Sequence, residues 1–398
     1  MPAPARGAPA AAYAACAPPP EVAACDRCLR RTWLVARLAA RLEIARHQRR
    51  PLREVLALHD EELLEAVGGD ARARVEAELR AVEPEAMRAA AREAGLAALC
   101  RHDPRYPARL RDDRSSAPVL YVAASGEPGI ARLAALGDGP VVSIVGTRKA
   151  SPDGLEVARL LGRGLVAAGV TVVSGMALGV DSAAHAGAVQ AGGRTVAVLA
   201  GGADVPYPQR KRSLYERIVL AGAVVSETPP GFKPYKWCFP ARNRTIAALA
   251  DVTVVVEAAE RSGSLITAEL ALELGREVAA VPGPVLSWRS HGTNALLRDG
   301  AALVRDARDV LDLLLGPDAA AASAEAAAVR PVPPPPDLAP ELLHLLAAVE
   351  DGPDAITAMA GRADDPTGAA MVRTGLTELE LLGLVRRLPG GRWMRERC

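Results

Sequence analysis

The chain has 398 residues, which is more than one ordinary hydrophobic core can organise, so two or three domains are expected. Half of the residues are apolar and 24% are charged, a composition typical of a soluble globular protein. The net charge is +1, so the overall charge neither supports nor excludes nucleic-acid binding, and any basic surface must be local.

The first 25 residues are rich in Ala and Pro. The prolines interrupt each apolar run, so this segment is a poor signal peptide and is expected to be a disordered arm. The chain contains no run of about 18 strongly apolar residues, so no membrane-spanning helix and no membrane partner are expected.

Six cysteines are scattered along the chain, namely Cys16, Cys25, Cys28, Cys100, Cys238 and Cys398. They form no disulfide framework, so a reducing cytoplasm is the expected location. Cys25 and Cys28 form a lone CxxC motif. A zinc site needs four ligands, and only Cys16 and His47 lie near this motif in sequence. An incidental thiol pair is therefore favoured, and neither a metal nor a cofactor is expected.

Residues 26–118 carry the apolar spacing of amphipathic helices. The helical runs are LVARLAARLEIARHQ, PLREVLALHDEELLEAV and PEAMRAAAREAG, and glycines follow the second and third. The EAVGG turn weakly suggests a helix-hairpin-helix. These residues are predicted to form a small N-terminal helical domain of SAM or helix-hairpin-helix type.

Residues 119–316 alternate short apolar strands with helical runs. The strands are VVSIVG (141–146), VTVVSG (170–175), TVAVLAGG (195–202), AVVSE (223–227), VTVVVEA (252–258) and EVAAVPG (277–283). Nearly continuous apolar strands indicate a sheet that is buried on both faces. Strand–helix alternation predicts an α/β fold, an extended Rossmann-like, doubly wound and mostly parallel sheet.

Two segments follow this sheet. Residues 317–337 are rich in Ala and Pro and have nothing to bury, so they are predicted to be a linker. Residues 338–398 contain helical runs, a helix ending at Gly383, and two short strands around a Pro-Gly-Gly turn. This order predicts a winged-helix domain.

Ligands of an open parallel sheet bind beyond the carboxyl ends of its strands. Glycines and small residues follow several strands there, and some turns lead into helix N-termini, which favour anions. A crevice that binds phosphate through backbone N–H groups is therefore predicted at Gly146, Thr147, Gly201, Gly202, Gly263 and Ser264. None of the four lysines follows a glycine, which excludes a P-loop, and the GxSxG and HExxH motifs are absent from the sequence.

Two pairs of polar residues leave alternatives open. Asp181 and His185 have the i, i+4 spacing of an acid–base or metal pair, but a capping aspartate and a packed histidine are favoured. Glu227 and Glu257 could form a catalytic carboxylate pair. They could equally hold nearby arginines in place through ion pairs.

The segment GFKPYKWCFPARNRT, residues 231–245, holds four of the twelve aromatic residues and two of the four lysines. Between residues 204 and 244 there are eight basic and three acidic residues. Basic groups bind phosphates and aromatic rings stack on unpaired bases, so this composition favours single-stranded nucleic acid. For Phe232 and Trp237, packing is at least as good an explanation.

The motifs together resemble a family. GTRKASPDG, SGMALGVDSAAH, YPQRKRSLYERI, SETPPG, FPARNR, VVVEAAERSGSLITA and REVAAVPG are similar to signatures of the DprA/Smf DNA-processing proteins. The resemblance implies a cytoplasmic protein of natural transformation that binds incoming single-stranded DNA and forms a homodimer through its Rossmann-like domain. It also implies that RecA recombinase is loaded and that single-strand binding protein is overcome.

The resemblance further implies which residues contact DNA. They are Arg148, Ser174, Gly175, Lys236 and Phe239, with Arg242, Asn243 and Arg244 at the RNR positions. Lys211 stands where the family usually has Asn and could add a phosphate contact, and Ala248 replaces a Gly. The expected protein is not an enzyme and has no catalytic residue. The alternative is an enzyme related to nucleotide phosphoribohydrolases, although the only Pro-Gly-Gly lies at residues 389–391.

Overall fold

The structure is a computed structural model, and it describes most of the chain. The described residues are 24–48, 51–111, 113, 115–134, 136, 139–317, 334–335, 338–360, 366–387 and 392–396. They form two compact units, with the boundary between Ala326 and Ala327. Residues 1–23 of the predicted N-terminal arm and most of the predicted linker lie outside the described residues, whereas Ala24 and Cys25 are described. No helix within the described parts is long and apolar enough to cross a membrane.

The first unit opens with six helices. They are α1 (Asp26–Arg37), α2 (Ala39–His47), α3 (Leu52–Ala57), α4 (Asp60–Val67), α5 (Arg72–Arg80) and α6 (Pro84–Glu93). The second predicted helix is in fact two, because a capping box starts α4: Glu62 accepts a hydrogen bond from the His59 N–H at 2.9 Å. The helices α1 to α5 share an apolar cluster built around Leu34, Leu42 and Leu63.

A nine-stranded sheet forms the centre of the first unit. Its strands are β1 (Ala97–Cys100), β2 (Val119–Ala123), β3 (Val141–Val145), β4 (Thr171–Ser174), β5 (Thr195–Leu199), β6 (Ala223–Ser226), β7 (Val252–Val255), β8 (Glu277–Ala280) and β9 (Ala302–Leu303). Their order is β1-β2-β6-β5-β4-β3-β7-β8-β9. The strands β3 to β9 pair in parallel, whereas β1 and β2 run antiparallel at one edge. The large, mostly parallel sheet is confirmed.

Nine further helices accompany these strands in the described part of the first unit. They are α7 (Ala108–Arg111), α8 (Gly126–Ala134), α9 (Pro152–Ala167), α10 (Val180–Gln190), α11 (Arg212–Ala221), α12 (Cys238–Leu249), α13 (Gly263–Glu273), α14 (His291–Arg298) and α15 (Ala307–Leu315). Successive side chains of a strand point to opposite faces, and both faces are buried. In β3, for example, Val141 and Val145 join one apolar cluster, and Val142 and Ile144 join another.

The strand β1 differs from the sequence prediction, which treated residues 26–118 as helical. Ala97 to Cys100 are all buried and pair with β2 through four residue pairs, from Ala97↔Val122 to Cys100↔Val119. The sheet therefore begins before residue 119, and the helical region and the sheet share one structural unit.

Among the residues described in the second unit, three helices are found, α16 (Pro340–Asp351), α17 (Pro353–Met359) and α18 (Pro366–Leu381), followed by the strands β10 (Val385–Arg387) and β11 (Trp393–Arg395). The two strands pair antiparallel. Leu345, Val372 and Leu379 belong to a separate apolar core. The predicted winged helix stays a prediction, and the Pro-Gly-Gly turn lies outside the described residues.

Candidate nucleic-acid interface

The strand order reverses between β3 and β7, which run side by side although one follows β2 and the other follows β6 in the chain. A topological switch point of this kind opens a crevice at the carboxyl ends of the two strands. The turn after β3 contains Gly146, Thr147 and Arg148. A Cβ at Gly146 would lie 2.6 Å from a methyl group of Val180, so only glycine allows this approach.

Several backbone groups that were predicted to bind phosphate already have protein partners. The Thr147 N–H donates to the Glu257 carbonyl at 2.7 Å, and the Gly202 N–H donates to the Phe232 carbonyl at 3.0 Å. The Ser264 N–H donates to the hydroxyl of Ser262 at 3.3 Å. Each of these three N–H groups stabilises a turn, and a phosphate contact at these residues stays a prediction.

The remaining members of the predicted crevice are glycines. Gly146 holds the first turn, and Gly201 is buried where a Cβ would lie 2.9 Å from the Phe232 carbonyl. Gly263 is exposed at the first position of α13, with nothing within 4 Å of the place where a Cβ would stand. A phosphate contact at Gly263 stays a prediction.

A strip of aromatic and basic side chains lies along this edge of the sheet, and we call it the aromatic–basic strip. Its members are Tyr207, Phe239, Arg148, Lys149, Arg289 and Trp288. The Tyr207 and Phe239 rings are 6.3 Å apart, and the guanidinium carbon of Arg148 lies 5.2 Å from the Phe239 centroid. Arg289 donates to the Lys149 carbonyl at 3.1 Å and lies 4.7 Å from the Trp288 ring.

The strip combines exposed aromatic rings with exposed basic groups, the two kinds of side chain that a single-stranded DNA site requires. Tyr207 is 48% exposed, Trp288 is 51% exposed, and Arg148 and Lys149 are also exposed. Guanidinium groups pair with phosphates, while aromatic faces stack on unpaired bases. Sequence reasoning singled out Arg148 and Phe239 but missed Tyr207 and Trp288, which lie far from residues 231–245 in sequence.

The predicted lysine contacts lie on the surface of the same unit. Lys236 is exposed and lies one turn before Phe239, whose N–H donates to the Lys236 carbonyl at 3.4 Å. Lys211 is half-buried at the end of the 3-10 helix Gln209–Lys211, directly before α11. Both contacts with DNA stay predictions.

Arg242 does not reach the surface, contrary to its predicted role. Its side chain donates to the carbonyls of Gly175 at 2.6 Å and Val198 at 2.8 Å, and it is 7% exposed. Burial lowers the pKa of Arg242, and the nearby Asp181 carboxylate counteracts this shift. Arg242 therefore joins the carboxyl ends of β4 and β5, and we assign it a structural role.

The residues around Arg242 are equally enclosed. Ser174 is fully buried, and its hydroxyl donates to the Ile144 carbonyl at 2.6 Å. A Cβ at Gly175 would lie 2.3 Å from a guanidinium nitrogen of Arg242. Both residues serve the packing of the first unit, and their contact with DNA stays a prediction.

Arg244 is buried as well, with its side chain only 3% exposed. It donates to Glu227 at 2.6 Å and to the Ser115 carbonyl, and Glu227 also accepts a hydrogen bond from Thr245. The ion-pair interpretation of Glu227 is thus confirmed, and the DNA contact of Arg244 stays a prediction for a side chain that is buried here. Asn243 is half-buried and donates to the Gly263 carbonyl at 3.2 Å, so it links α12 to the start of α13.

The other polar residues of the sequence analysis are also committed to the fold. Glu257 accepts hydrogen bonds from the backbone and hydroxyl of Ser151, the residue that caps α9. His185 is fully buried and bonds to the Thr195 hydroxyl at 2.7 Å, as the packing interpretation predicted. Asp181 accepts from the Ala177 N–H at 3.3 Å and so holds the loop before α10.

Trp237 packs inward and joins the strip to the helices. It is 3% exposed within the apolar cluster of the helical region, and its backbone N–H donates to Glu43 at 2.6 Å. Phe232 is partly buried against the same cluster. Packing therefore explains these two aromatics, while Phe239 borders both the cluster and the strip.

Sequence reasoning also missed a group of four side chains away from the strip. Cys25 and Cys28 meet Cys100 and His102, with the four potential ligand atoms all within 4.8 Å of one another. Cys16, one partner considered from sequence, lies outside the described residues, as does the side chain of the other, His47. The signal in the sequence was Cys100-x-His102, which is 72 residues beyond Cys28.

Comparisons with known proteins place the chain in a family. Residues 97–315 match the family of DNA recombination-mediator protein A. The Smf protein of Synechocystis is 36% identical over 321 residues, which cover 74% of this chain and 78% of the relative. A putative DNA processing protein DprA of Mycobacterium tuberculosis is 50% identical over 172 residues, 43% of this chain and 44% of the relative.

A solved structure agrees with these relatives. The X-ray structure of DNA processing protein A (DprA) from Streptococcus pneumoniae has a TM-score of 0.57 and 31% sequence identity. The match covers 72% of this chain and 95% of that chain. By its family match, its relatives and its sheet, this chain belongs to the DprA/Smf family of DNA-processing proteins.

Proposed function

We propose that this protein binds single-stranded DNA across the aromatic–basic strip and loads a RecA recombinase onto it during natural transformation or recombination. The contact between Arg148 and Phe239, beside the exposed Lys236, carries the proposal. Stacking surfaces and phosphate partners alternate there over a short distance. A single strand offers both unpaired bases and phosphates, whereas a duplex encloses its bases.

The family supplies the remaining parts of the proposal. The motifs of this chain resemble those of the family, and the resemblance implies three partners. They are a RecA recombinase, single-strand binding protein and a second copy of the chain. The cytoplasm is the compartment in which these partners act. Protection of incoming single strands and homodimerisation therefore belong to the same proposal.

Binding without catalysis is the favoured mode of action. Both oxygens of Glu227 accept hydrogen bonds, from Arg244 and Thr245, and Glu257 holds Ser151. A carboxylate that performs N-glycosidic chemistry must be free to approach its substrate. Release of free base from AMP-type nucleotides by the purified protein would support the phosphoribohydrolase-like alternative.

Fluorescence anisotropy with labelled oligo-dT and a matching duplex tests the proposal. Without ATP or added metal, we expect the single strand to bind more tightly by at least about fivefold, since one stacked base contributes about 1–3 kcal/mol. Equal affinity for the two forms, or strict dependence on ATP, would contradict the proposal.

A further inference from the structure

The group Cys25, Cys28, Cys100 and His102, which we call the Cys3His cluster, has the composition of a metal site. The three sulfur atoms surround one nitrogen of the His102 ring: Cys25 Sγ and Cys28 Sγ are each 3.4 Å from His102 Nδ1, and Cys100 Sγ is 3.9 Å from it. All four atoms lie within 4.8 Å of one another, although they come from two distant parts of the chain.

These distances fit the edges of a tetrahedron around a single ion. Zinc binds sulfur at about 2.3 Å and histidine nitrogen at about 2.0–2.1 Å, so tetrahedral S and N ligands lie about 3.6 Å apart. The three observed S···N distances, from 3.4 to 3.9 Å, bracket this value. Three thiolates and one imidazole in tetrahedral array select zinc among common metals.

Local structure presents the ligands in a fixed arrangement. Cys25 is the N-cap residue of α1 and Cys28 lies in its first turn, so the two thiols share one face of the helix. Cys100 is the last residue of β1, and His102 follows in the turn after it.

The surroundings suit a structural ion. Cys28 and Cys100 are buried, Cys25 is half-buried and His102 is exposed, and the cysteines are free thiols. Zinc with three thiolates and a neutral imidazole carries a net charge of −1. Arg27, Arg31 and Arg101 line the same cavity of about 700 Å³ as Cys28 and His102.

We propose that Cys25, Cys28, Cys100 and His102 bind one zinc ion that fastens α1 to the edge strand β1. Two ligands lie before residue 97, where the family match begins, and two lie within it. The ion would therefore join the helical region to the sheet. Because α1 also contributes Leu34 to the cluster that receives Trp237, the same ion supports the packing behind the strip.

Metal analysis of the full chain provides the first test. We expect about one zinc per chain after purification without chelators, with the four ligands filling one tetrahedral ion. Exchange for Co²⁺ should give the visible spectrum of a tetrahedral ion together with sulfur-to-cobalt charge-transfer bands. Wild-type protein that is folded but holds no stoichiometric zinc and gives no such spectrum overturns the proposal, as does a disulfide between cluster cysteines in freshly purified protein.

Variants assign the ligands. Cys100→Ser and His102→Ala should each lose most of the bound zinc, and Cys100→Ser should weaken the charge-transfer bands. Cys238→Ala is the matched control, because Cys238 is also a buried free thiol but lies outside the cluster. Retention of full zinc by both cluster variants would overturn the assignment. Addition of a chelator to the wild-type protein should lower its melting temperature, whereas a Cys100→Ser chain that has already lost zinc should respond little.

Discussion

The guanidinium carbon of Arg148 lies 5.2 Å from the centroid of the Phe239 ring, although 91 positions separate the two residues in sequence. Arg148 comes from the turn after β3 and Phe239 from the first turn of α12. The sheet therefore brings a cation and a stacking surface together at its switch point. In the proposed complex, a base that stacks on this face of the Phe239 ring therefore either displaces Arg148 or leaves it to stack on the base.

The first prediction is that Arg148 and Phe239 act together in binding. Phe239→Ala should cost about 1–3 kcal/mol through the lost stack, and Arg148→Ala should also weaken binding through a lost phosphate contact. Because each side chain positions the other, the double variant should lose less than the sum of the single losses, by at least about 0.5 kcal/mol.

Anisotropy with oligo-dT on all four proteins measures this coupling. Arg74, an exposed arginine on α5, supplies the control: Arg74→Ala combined with Phe239→Ala should be additive. Additive losses for Arg148 and Phe239, or wild-type affinity for Phe239→Ala, would mean that the ring only packs.

Lys236 should contribute through charge alone. It is exposed, and its ammonium group is a point charge on a flexible stem. Lys236→Ala should weaken binding to oligo-dT and flatten the log–log salt slope by about 0.7, the value for one single-strand phosphate contact. A salt series on the wild type and on Lys236→Ala measures the slope. An unaltered slope for Lys236→Ala places the lysine outside the DNA path.

The sequence was sufficient to predict the sheet, because continuous apolar runs such as VVSIV require burial on both faces. Several predicted strands were longer than the observed strands at their carboxyl ends. They included turn residues such as Gly146, which follows β3. The edge strand β1 was missed, since AALC is short and follows a helix directly. The pairing of β1 with β2 depends on tertiary contacts, which the local sequence pattern does not reveal.

The sequence was less informative about which basic residues face solvent. Charge alone does not distinguish Lys236, Arg242 and Arg244. Only Lys236 is exposed, whereas the two arginines are buried. The run TIAALA that follows them was the available signal, because a helix that is apolar on all sides is buried. On such a helix, arginines must point inward to fixed partners, as Arg242 and Arg244 do.

Arg244→Ala should therefore destabilise the fold instead of altering DNA binding directly. Removing one partner of a buried ion pair leaves Glu227 without its charge partner, which typically costs about 3–5 kcal/mol. We expect a lower melting temperature, with an unchanged salt slope for the fraction that remains folded. Arg244→Met combined with Glu227→Gln should recover part of the loss, because no buried charge is then left alone. A stable Arg244→Ala chain with a flatter salt slope would restore the direct phosphate contact.

His185 should make stability depend on pH. Burial lowers its pKa from 6.5 to about 4 in the folded chain, so the folded state favours the neutral ring. The unfolded chain binds the proton more readily between these values, and stability is therefore full above about pH 6.5 and is lost as the pH falls toward 4. A shift of this size corresponds to about 3 kcal/mol.

His185→Gln isolates this effect, because glutamine can bond to Thr195 but does not titrate. The variant should start less stable at neutral pH and lose less stability than the wild type on acidification. Urea unfolding from about pH 7 to about pH 4.5 measures both slopes, and contributions from every other group largely cancel in their difference. Parallel slopes would show that His185 keeps an ordinary pKa.

The last prediction concerns the smallest part of the chain that binds DNA. A fragment of residues 24–317 keeps the pairing of β1 with β2 and the contact of Glu43 with the Trp237 N–H, and it should bind oligo-dT within a few-fold of the full chain. A fragment of residues 119–317 exposes the edge of β2 and also removes Ser115, a partner of Arg244. We expect it to melt at a lower temperature and to aggregate through the open edge. Circular dichroism on both fragments measures folding, and anisotropy measures DNA binding. A folded 24–317 fragment that does not bind would place the site in the second unit. A 119–317 fragment that equals the full chain in stability and affinity would show that the helices do not support the strip.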